Sequence, residues 1–176
     1  TLAYIEHELE GVRDALVARG QKAEILHPCR STVCLFLDRG SEHTTALRSD
    51  MDALPVTETT GVPFASTHPH KMHACGHDGH MAMLLGLAHH LVTCADELPR
   101  SVLLVFQPAE ETTGGARIVC ESGIFRKVHA DRIFGFHLWP DLPKGTLASK
   151  PGPLLAGSHE TDVTFLGKAS HIAKAD

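Results

Sequence analysis

Ser101-Val102-Leu103-Leu104-Val105-Phe106-Gln107-Pro108-Ala109-Glu110-Glu111 is the stretch whose reading decides the fold. Its apolar core, Val102 to Phe106, does not alternate with polar residues, as expected of a central strand whose two faces are both covered by helices. Pro108 stops the run, and two adjacent carboxylates, Glu110 and Glu111, stand directly beyond it. Working outward, β-type runs are predicted at Lys22 to Leu26, at Thr32 to Leu37, and at Thr44 to Arg48, the last leading into Ser49-Asp50-Met51-Asp52-Ala53-Leu54-Pro55. A further strand, Arg132 to Phe136, delivers His137-Leu138-Trp139-Pro140 at its end.

Helices are expected between them. Leu2, Ile5, Leu9, Val12, Leu16 and Val17 form a helical stripe ending near Arg19, with Gly20 placed to close it as a C-cap. Asp78 is placed to cap a second helix, Gly79 to Cys94, burying Met81, Leu84, Leu85, Ala88, Leu91 and Val92. A third runs from Gly115 to Ser122 and stops at Gly123. This alternation implies an α/β sandwich on a largely parallel sheet, with polar groups collecting beyond the carboxyl ends of the strands. Past Gly145 the character changes: Pro151-Gly152-Pro153 breaks structure and Thr161 to Leu166 reads as a new alternating strand, which puts a domain boundary near Gly157.

Composition narrows the function classes. With 43% hydrophobic and 21% charged residues over 176 positions, the chain is that of a globular protein with a real core. A net charge of -5 and no dense run of Lys or Arg argue against a nucleic-acid partner. No apolar stretch approaches the roughly 20 residues that cross a bilayer, and the first residues lack the pattern of a signal peptide. A cytoplasmic protein is the simplest expectation, and Thr1 in place of Met points to a true start further upstream. The five cysteines, Cys29, Cys34, Cys75, Cys94 and Cys120, are odd in number and lack C-x-x-C spacing, so most are expected to be buried thiols rather than parts of a disulfide framework.

Histidine is the compositional oddity, at 14 residues. His73-Ala74-Cys75-Gly76-His77-Asp78-Gly79-His80 packs a thiol, three imidazoles and a carboxylate together. In an extended or looped backbone Cys75 and His77 project to one side, and Gly76 lets the chain bend close to an ion; thiolate and imidazole both suit zinc and similar metals. A His-rich surface loop beside one buried Cys is the alternative. Glu110 and Glu111 form an expensive pair beside a buried strand unless something positive neutralises them. One could ligate a metal while the other shuttles protons, or both could belong to a solvated acidic helix cap. His137 reads either as a core histidine or as a ligand. Only the topology joins these groups, since each lies at or just beyond a strand exit.

Four strings in order carry a resemblance: Ala46 to Pro55 as ALRSDMDALP, Met72 to His80 as MHACGHDGH, Gln107 to Glu111 as QPAEE, and Gly135 to Pro140 as GFHLWP. They resemble the M20 metallopeptidase family, in the branch containing hippurate hydrolases, N-acetyl-diaminopimelate deacetylases and auxin-conjugate amidohydrolases. The resemblance runs from the first helix to Gly167 and His171. It implies a three-layer α/β sandwich of zinc-exopeptidase type and a metal-dependent amidohydrolase that cleaves N-acyl-amino-acid or peptide-like amide bonds with a metal-activated water. It further implies two divalent ions, zinc or manganese with cobalt or nickel possible, held by Cys75, His77, Glu111 and His137, with Glu110 as general base. Asp52 and Asp78 are then expected to orient ligand imidazoles, while His73 and His80 stay open between that role and loop surface.

The family pattern places residues 1–156 in the catalytic domain and 157–176 at the start of a lid and dimerisation domain. Gly167-Lys168-Ala169-Ser170-His171 resembles the lid segment whose histidine helps bind the substrate carbonyl, often from the partner of a homodimer, although the Pro expected after it is lacking. A further ligating histidine belongs to a C-terminal portion of the family's catalytic domain that lies past Asp176. That leaves a second reading, a non-catalytic metal-binding module or inactive fragment. A Cys75/His77 nucleophilic hydrolase fits poorly, because residues two apart seldom present thiol and base in the required geometry and Glu110-Glu111 would go unexplained.

Overall fold

The computed structural model describes residues 1–112, 114–157, 161–171 and 173. By packing, the chain divides into two compact units, Thr1–Trp139 and Pro140–Asp176. The first holds every α-helix and strand found among the described residues: α1 (Leu2–Ala18), β1 (Lys22–Leu26), β2 (Val33–Asp38), β3 (Thr44–Asp50), α2 (His77–Cys94), β4 (Ser101–Gln107), α3 (Gly115–Glu121), α4 (Ile124–Lys127) and β5 (Ala130–Gly135).

The strands form one sheet in the order β1-β2-β4-β3-β5. All seven residues of β4 are buried, as its unbroken apolar run requires. Its side chains alternate between two cores, because successive residues of a strand point to opposite faces. Val102, Leu104 and Phe106 meet Ile5, Leu9, Val12 and Leu16 of α1 and Met81, Leu84, Ala88 and Leu91 of α2. Leu103 and Val105 face the other way, with Cys34, Ala46, Val119 of α3 and Ile124 of α4. Helices on both faces of a sheet make the three layers expected. Burying one such Leu or Phe contributes roughly 1.5–3 kcal/mol, so these two cores are the main source of stability.

The sheet is mixed rather than largely parallel. β3 pairs in parallel with β4 and with β5, but β2 pairs antiparallel with both β1 and β4. The connection between β1 and β2, residues 27–32, is too short for the crossover that parallel neighbours need. The three parallel strands end side by side, Asp50 opposite Gln107 and Arg48 opposite Gly135. Segments leaving β3, β4 and β5 therefore emerge on one edge, and α2, which returns the chain from β3 to β4, begins there too.

Local chemistry sets the ends of the elements. Gly20 takes a left-handed φ of +81°. Its N–H donates to the Val17 carbonyl and that of Gln21 to the Leu16 carbonyl, at 2.9 and 3.0 Å, the paired bonds that terminate a helix. At α2 the cap is Gly76, at φ +83°, and not Asp78, which lies exposed in the first turn. Asp78 there favours the helix through its dipole instead. The long loop from Met51 to Gly76 is tied by reciprocal backbone bonds between Leu54 and Met72, 2.9 and 3.1 Å, which bring Asp52 back to the start of α2. Of the cysteines only Cys34 is buried; Cys29, Cys75 and Cys94 are half-buried and Cys120 is exposed.

In the second unit no helix longer than a single turn and no strand occurs among the described residues. The alternating run Thr161 to Leu166 is no strand: Val163, Phe165 and Leu166 are 67%, 90% and 95% exposed, and no other described segment accepts their backbone bonds. An alternating pattern needs a paired neighbour before it becomes a strand.

Candidate metal centre

Three strand exits and one helix start supply the site. Asp50 and Asp52 leave β3, Glu110 and Glu111 follow β4, His137 follows β5, and Cys75 and His77 flank the Gly76 cap of α2. His77 is only 1% exposed. Its Nδ1 lies 3.0 Å from the Asp52 carbonyl oxygen. A carbonyl can only accept, so Nδ1 carries the proton and Nε2 presents a lone pair. That lone pair faces carboxylate oxygens of Asp50 at 3.6 Å, Glu111 at 3.7 Å and Glu110 at 3.9 Å, too far for hydrogen bonds.

Neither His77 Nε2 nor Glu111 Oε1 has a hydrogen-bond partner among the described residues, although both are buried. A buried lone pair converging with carboxylates, of which Asp50 and the Glu111 Oε1 atom are buried as well, is unfavourable unless a cation stands among them. The remaining donors agree. His137 Nδ1 donates to the Leu138 carbonyl at 2.7 Å, which leaves its Nε2 lone pair 3.6 Å from Cys75 Sγ. Ligand atoms of Cys75, His77 and His137 lie within 4.8 Å of one another, and so do those of His77, Glu110 and Glu111. The Cys75 thiol is pushed up to about 11, first by burial and then by the neighbouring carboxylates of Glu111, Glu110 and Asp50. Without a cation it is a neutral thiol; with one it becomes a thiolate ligand. The donor set therefore fits divalent metal, with His77 shared between two groups of ligands.

Supporting contacts hold these groups. Asp52 acts mostly through its backbone, its carbonyl receiving both His77 and His73 Nδ1, the latter at 3.2 Å. Its carboxylate accepts the Glu111 N–H at 3.1 Å, tying the β4 exit to the β3 exit. Asp78 makes no hydrogen bond to an imidazole among the described residues. The Glu110 and Glu111 segment is itself tightly constrained: Ala109 takes a positive φ of 53°, and the Gly115 N–H donates to its carbonyl at 2.9 Å. Glu110 is the most open of the acidic groups, its side chain 41% exposed. His171 lies in the second unit, exposed, with Nδ1 accepting the Ala173 N–H at 3.2 Å.

Sequence reasoning did not find the pair Asp50 and His80. Asp50, 1% exposed, is held by the Arg48 guanidinium at 2.8 Å and by His80 Nδ1 at 2.7 Å. Burial alone would raise its pKa, but the His80 hydrogen bond, the Arg48 charge and the nearby imidazoles together bring it below the usual value. The signal was present in the spacing: Arg48 and Asp50 are two apart on a strand and so share a face.

The sequence model for peptidase family M20/M25/M40 matches residues 46–175. N-acetyldiaminopimelate deacetylase of Listeria monocytogenes serotype 4a is 46% identical over 144 residues, 81% of this chain and 38% of that protein. The enzyme of the same name from Streptococcus uberis is 48% identical over 132 residues, 75% of this chain and 35% of its own length. Among solved structures, a Bacillus subtilis protein described as a dinuclear metal binding peptidase from the M20 family matches with TM-score 0.71 and 41% identity, covering 82% of this chain and 40% of that one. A putative aminohydrolase from methicillin-resistant Staphylococcus aureus matches with TM-score 0.70 and 34% identity, covering 82% and 36%. The chain spans under two fifths of the length of these deacetylases.

Proposed function

The chain belongs to peptidase family M20/M25/M40, and from that membership we propose that it forms the metal-binding part of an amidohydrolase that cleaves N-acyl amino acids or peptide-like amides. Cys75, His77, Glu111 and His137 hold two divalent cations, zinc or manganese, and Glu110 is the general base. The observation that carries this reading is the buried, unpartnered Nε2 of His77 facing the equally unpartnered Glu111 Oε1 at 3.7 Å. Cations in this donor set would lower the pKa of a water and polarise the amide carbonyl.

Glu110 takes the proton of the attacking water and hands it to the leaving nitrogen. It suits that work because it is the most solvent-open carboxylate of the set. Glu111 is fixed by its backbone bond to Asp52, which suits a ligand better than a moving base. His77 and His137 each direct Nε2 inward because a backbone carbonyl holds Nδ1–H. Resemblance to N-acetyldiaminopimelate deacetylases supports a small N-acetylated or similarly acylated amino acid as substrate. Residues 157–176 open a lid and dimerisation domain, from which His171 reaches a substrate carbonyl, in a cytoplasmic homodimer. No helix among the described residues is long and apolar enough to cross a membrane.

The test pairs metal content with turnover. Elemental analysis of the chain should show bound transition metal that falls in Cys75→Ala and Glu111→Ala. In the full-length protein Glu110→Gln should remove hydrolysis of N-acyl amino acids while leaving the metal bound. Retained activity in Glu110→Gln, or metal content indifferent to Cys75 and Glu111, would refute the reading.

A further inference from the structure

His80 is only 3% exposed and sits beside the candidate ligands, yet it has no free nitrogen to offer a metal. Its Nε2 accepts the Leu138 N–H at 2.9 Å, so that nitrogen must carry a lone pair already in use. Its Nδ1 therefore holds the proton and donates it to Asp50 Oδ1 at 2.7 Å. Although ligand-type atoms of Asp50, His77 and His80 cluster together, these two bonds exclude His80 as a ligand.

We propose that His80 is a positioning residue for His137, acting through Leu138. The inference rests on the metal-binding reading of His137 above. Leu138 is gripped by its N–H on His80, and its carbonyl in turn accepts Nδ1–H of His137. Fixing Leu138 thus fixes both the place of the His137 ring and the tautomer that turns Nε2 toward Cys75. The His80 and His137 rings lie 4.6 Å apart between centroids, so His80 also walls one side of that ring. The grip continues inward: Asp50 Oδ2 accepts from Arg48, whose Nε donates to Gln107 Oε1 at 2.8 Å. One line of hydrogen bonds then joins the ends of β4, β3, α2 and β5.

The first turn of α2 is shaped for this contact. A Cβ built on Gly79 would stand 2.6 Å from Leu138 Cδ1, and one on Gly76 3.3 Å from the same atom. The two glycines leave a notch in which the Leu138 side chain rests while its N–H reaches His80. His80 is thereby a directional element, donor at one nitrogen and acceptor at the other, which only a neutral imidazole or a partly matching amide can imitate.

The experiment compares His80→Ala and His80→Gln with the parent chain by cobalt titration, following the thiolate-to-cobalt charge-transfer band, and by amide hydrogen exchange at Leu138 in metal-free protein. Gln places an acceptor oxygen near the position of Nε2. Expected are cobalt binding weakened about 10- to 100-fold in His80→Ala, lost protection of the Leu138 amide, and recovery of most of both in His80→Gln. Unchanged cobalt affinity and unchanged Leu138 protection in a folded His80→Ala would overturn the proposal. If His80→Ala does not fold, His80→Gln decides: near-parental protection and affinity support it, and a folded Gln variant with neither refutes it. A parent chain that binds no cobalt would count against the metal reading alone, and Leu138 exchange together with the nitrogen shifts of His137 would still decide the role of His80.

Discussion

Replacing Gly115 by alanine should disorganise the segment that carries Glu110 and Glu111. A Cβ at position 115 would stand 1.8 Å from the Pro108 carbonyl oxygen, 2.9 Å from its carbon and 3.3 Å from the Ala109 oxygen. All three atoms are backbone, so no rotamer change relieves the clash. Carbon and oxygen in close non-bonded contact sit about 3.3 Å apart, so α3 and the exit of β4 must separate by about 1.5 Å. That separation also breaks the Gly115 N–H bond to Ala109, costing about 1 kcal/mol, on top of the roughly 1–3 kcal/mol typical of overpacking. We therefore expect about 2–4 kcal/mol of destabilisation, read as a lower Tm. A displacement of about 1 Å at catalytic groups costs on the order of 100-fold in rate, so hydrolysis by the full-length protein should fall at least that far. Gly115→Ala with parental Tm and parental metal affinity would show that the Pro108–Glu111 segment is not held by this close approach.

Two further outcomes follow from pKa shifts. Because the Cys75 thiol is pushed up to about 11, a proton competes with metal at every pH below that; between pH 7.5 and 9 the Cys75 contribution to metal affinity should rise about tenfold per pH unit, visible as proton release in calorimetry and absent in Cys75→Ala. Asp50 has its pKa depressed, so its carboxylate stabilises the fold fully above the ordinary unfolded value of about 3.9 and loses that contribution as pH falls through the lower folded value; acid unfolding of Asp50→Asn should begin at higher pH than in the parent chain, and coincident acid transitions would refute the assignment.

Strand identity was legible because it depends on local composition. Val102 to Phe106 reads as the clearest strand in the chain, covered on both faces, and the structure places it at the centre of the sheet with every residue buried. Gly20 closed α1 as its position suggested. Where expectation and structure differ, a non-local term intervened. Asp78 lost the cap of α2 to Gly76, whose left-handed backbone lets the chain turn from Cys75 into the helix. Strand direction is not written in any one strand, so the antiparallel β2 was not foreseen. An alternating run at Thr161 to Leu166 stays irregular without a partner to complete its hydrogen bonds.

The site divides along the same line. By itself the sequence determined which residue types are available to a metal and that Asp52, Cys75, His77, Glu110, Glu111 and His137 sit beside predicted strand ends or a helix start; these follow from motif and periodicity, properties of neighbouring residues. Only the tertiary structure decided that the groups meet, which imidazole nitrogen faces inward, and that His80 is spent on Asp50 and Leu138 rather than free to ligate. The physical reason is that hydrogen-bond direction and tautomer depend on partners as much as 62 residues apart in the chain, brought together by the parallel register of β3, β4 and β5.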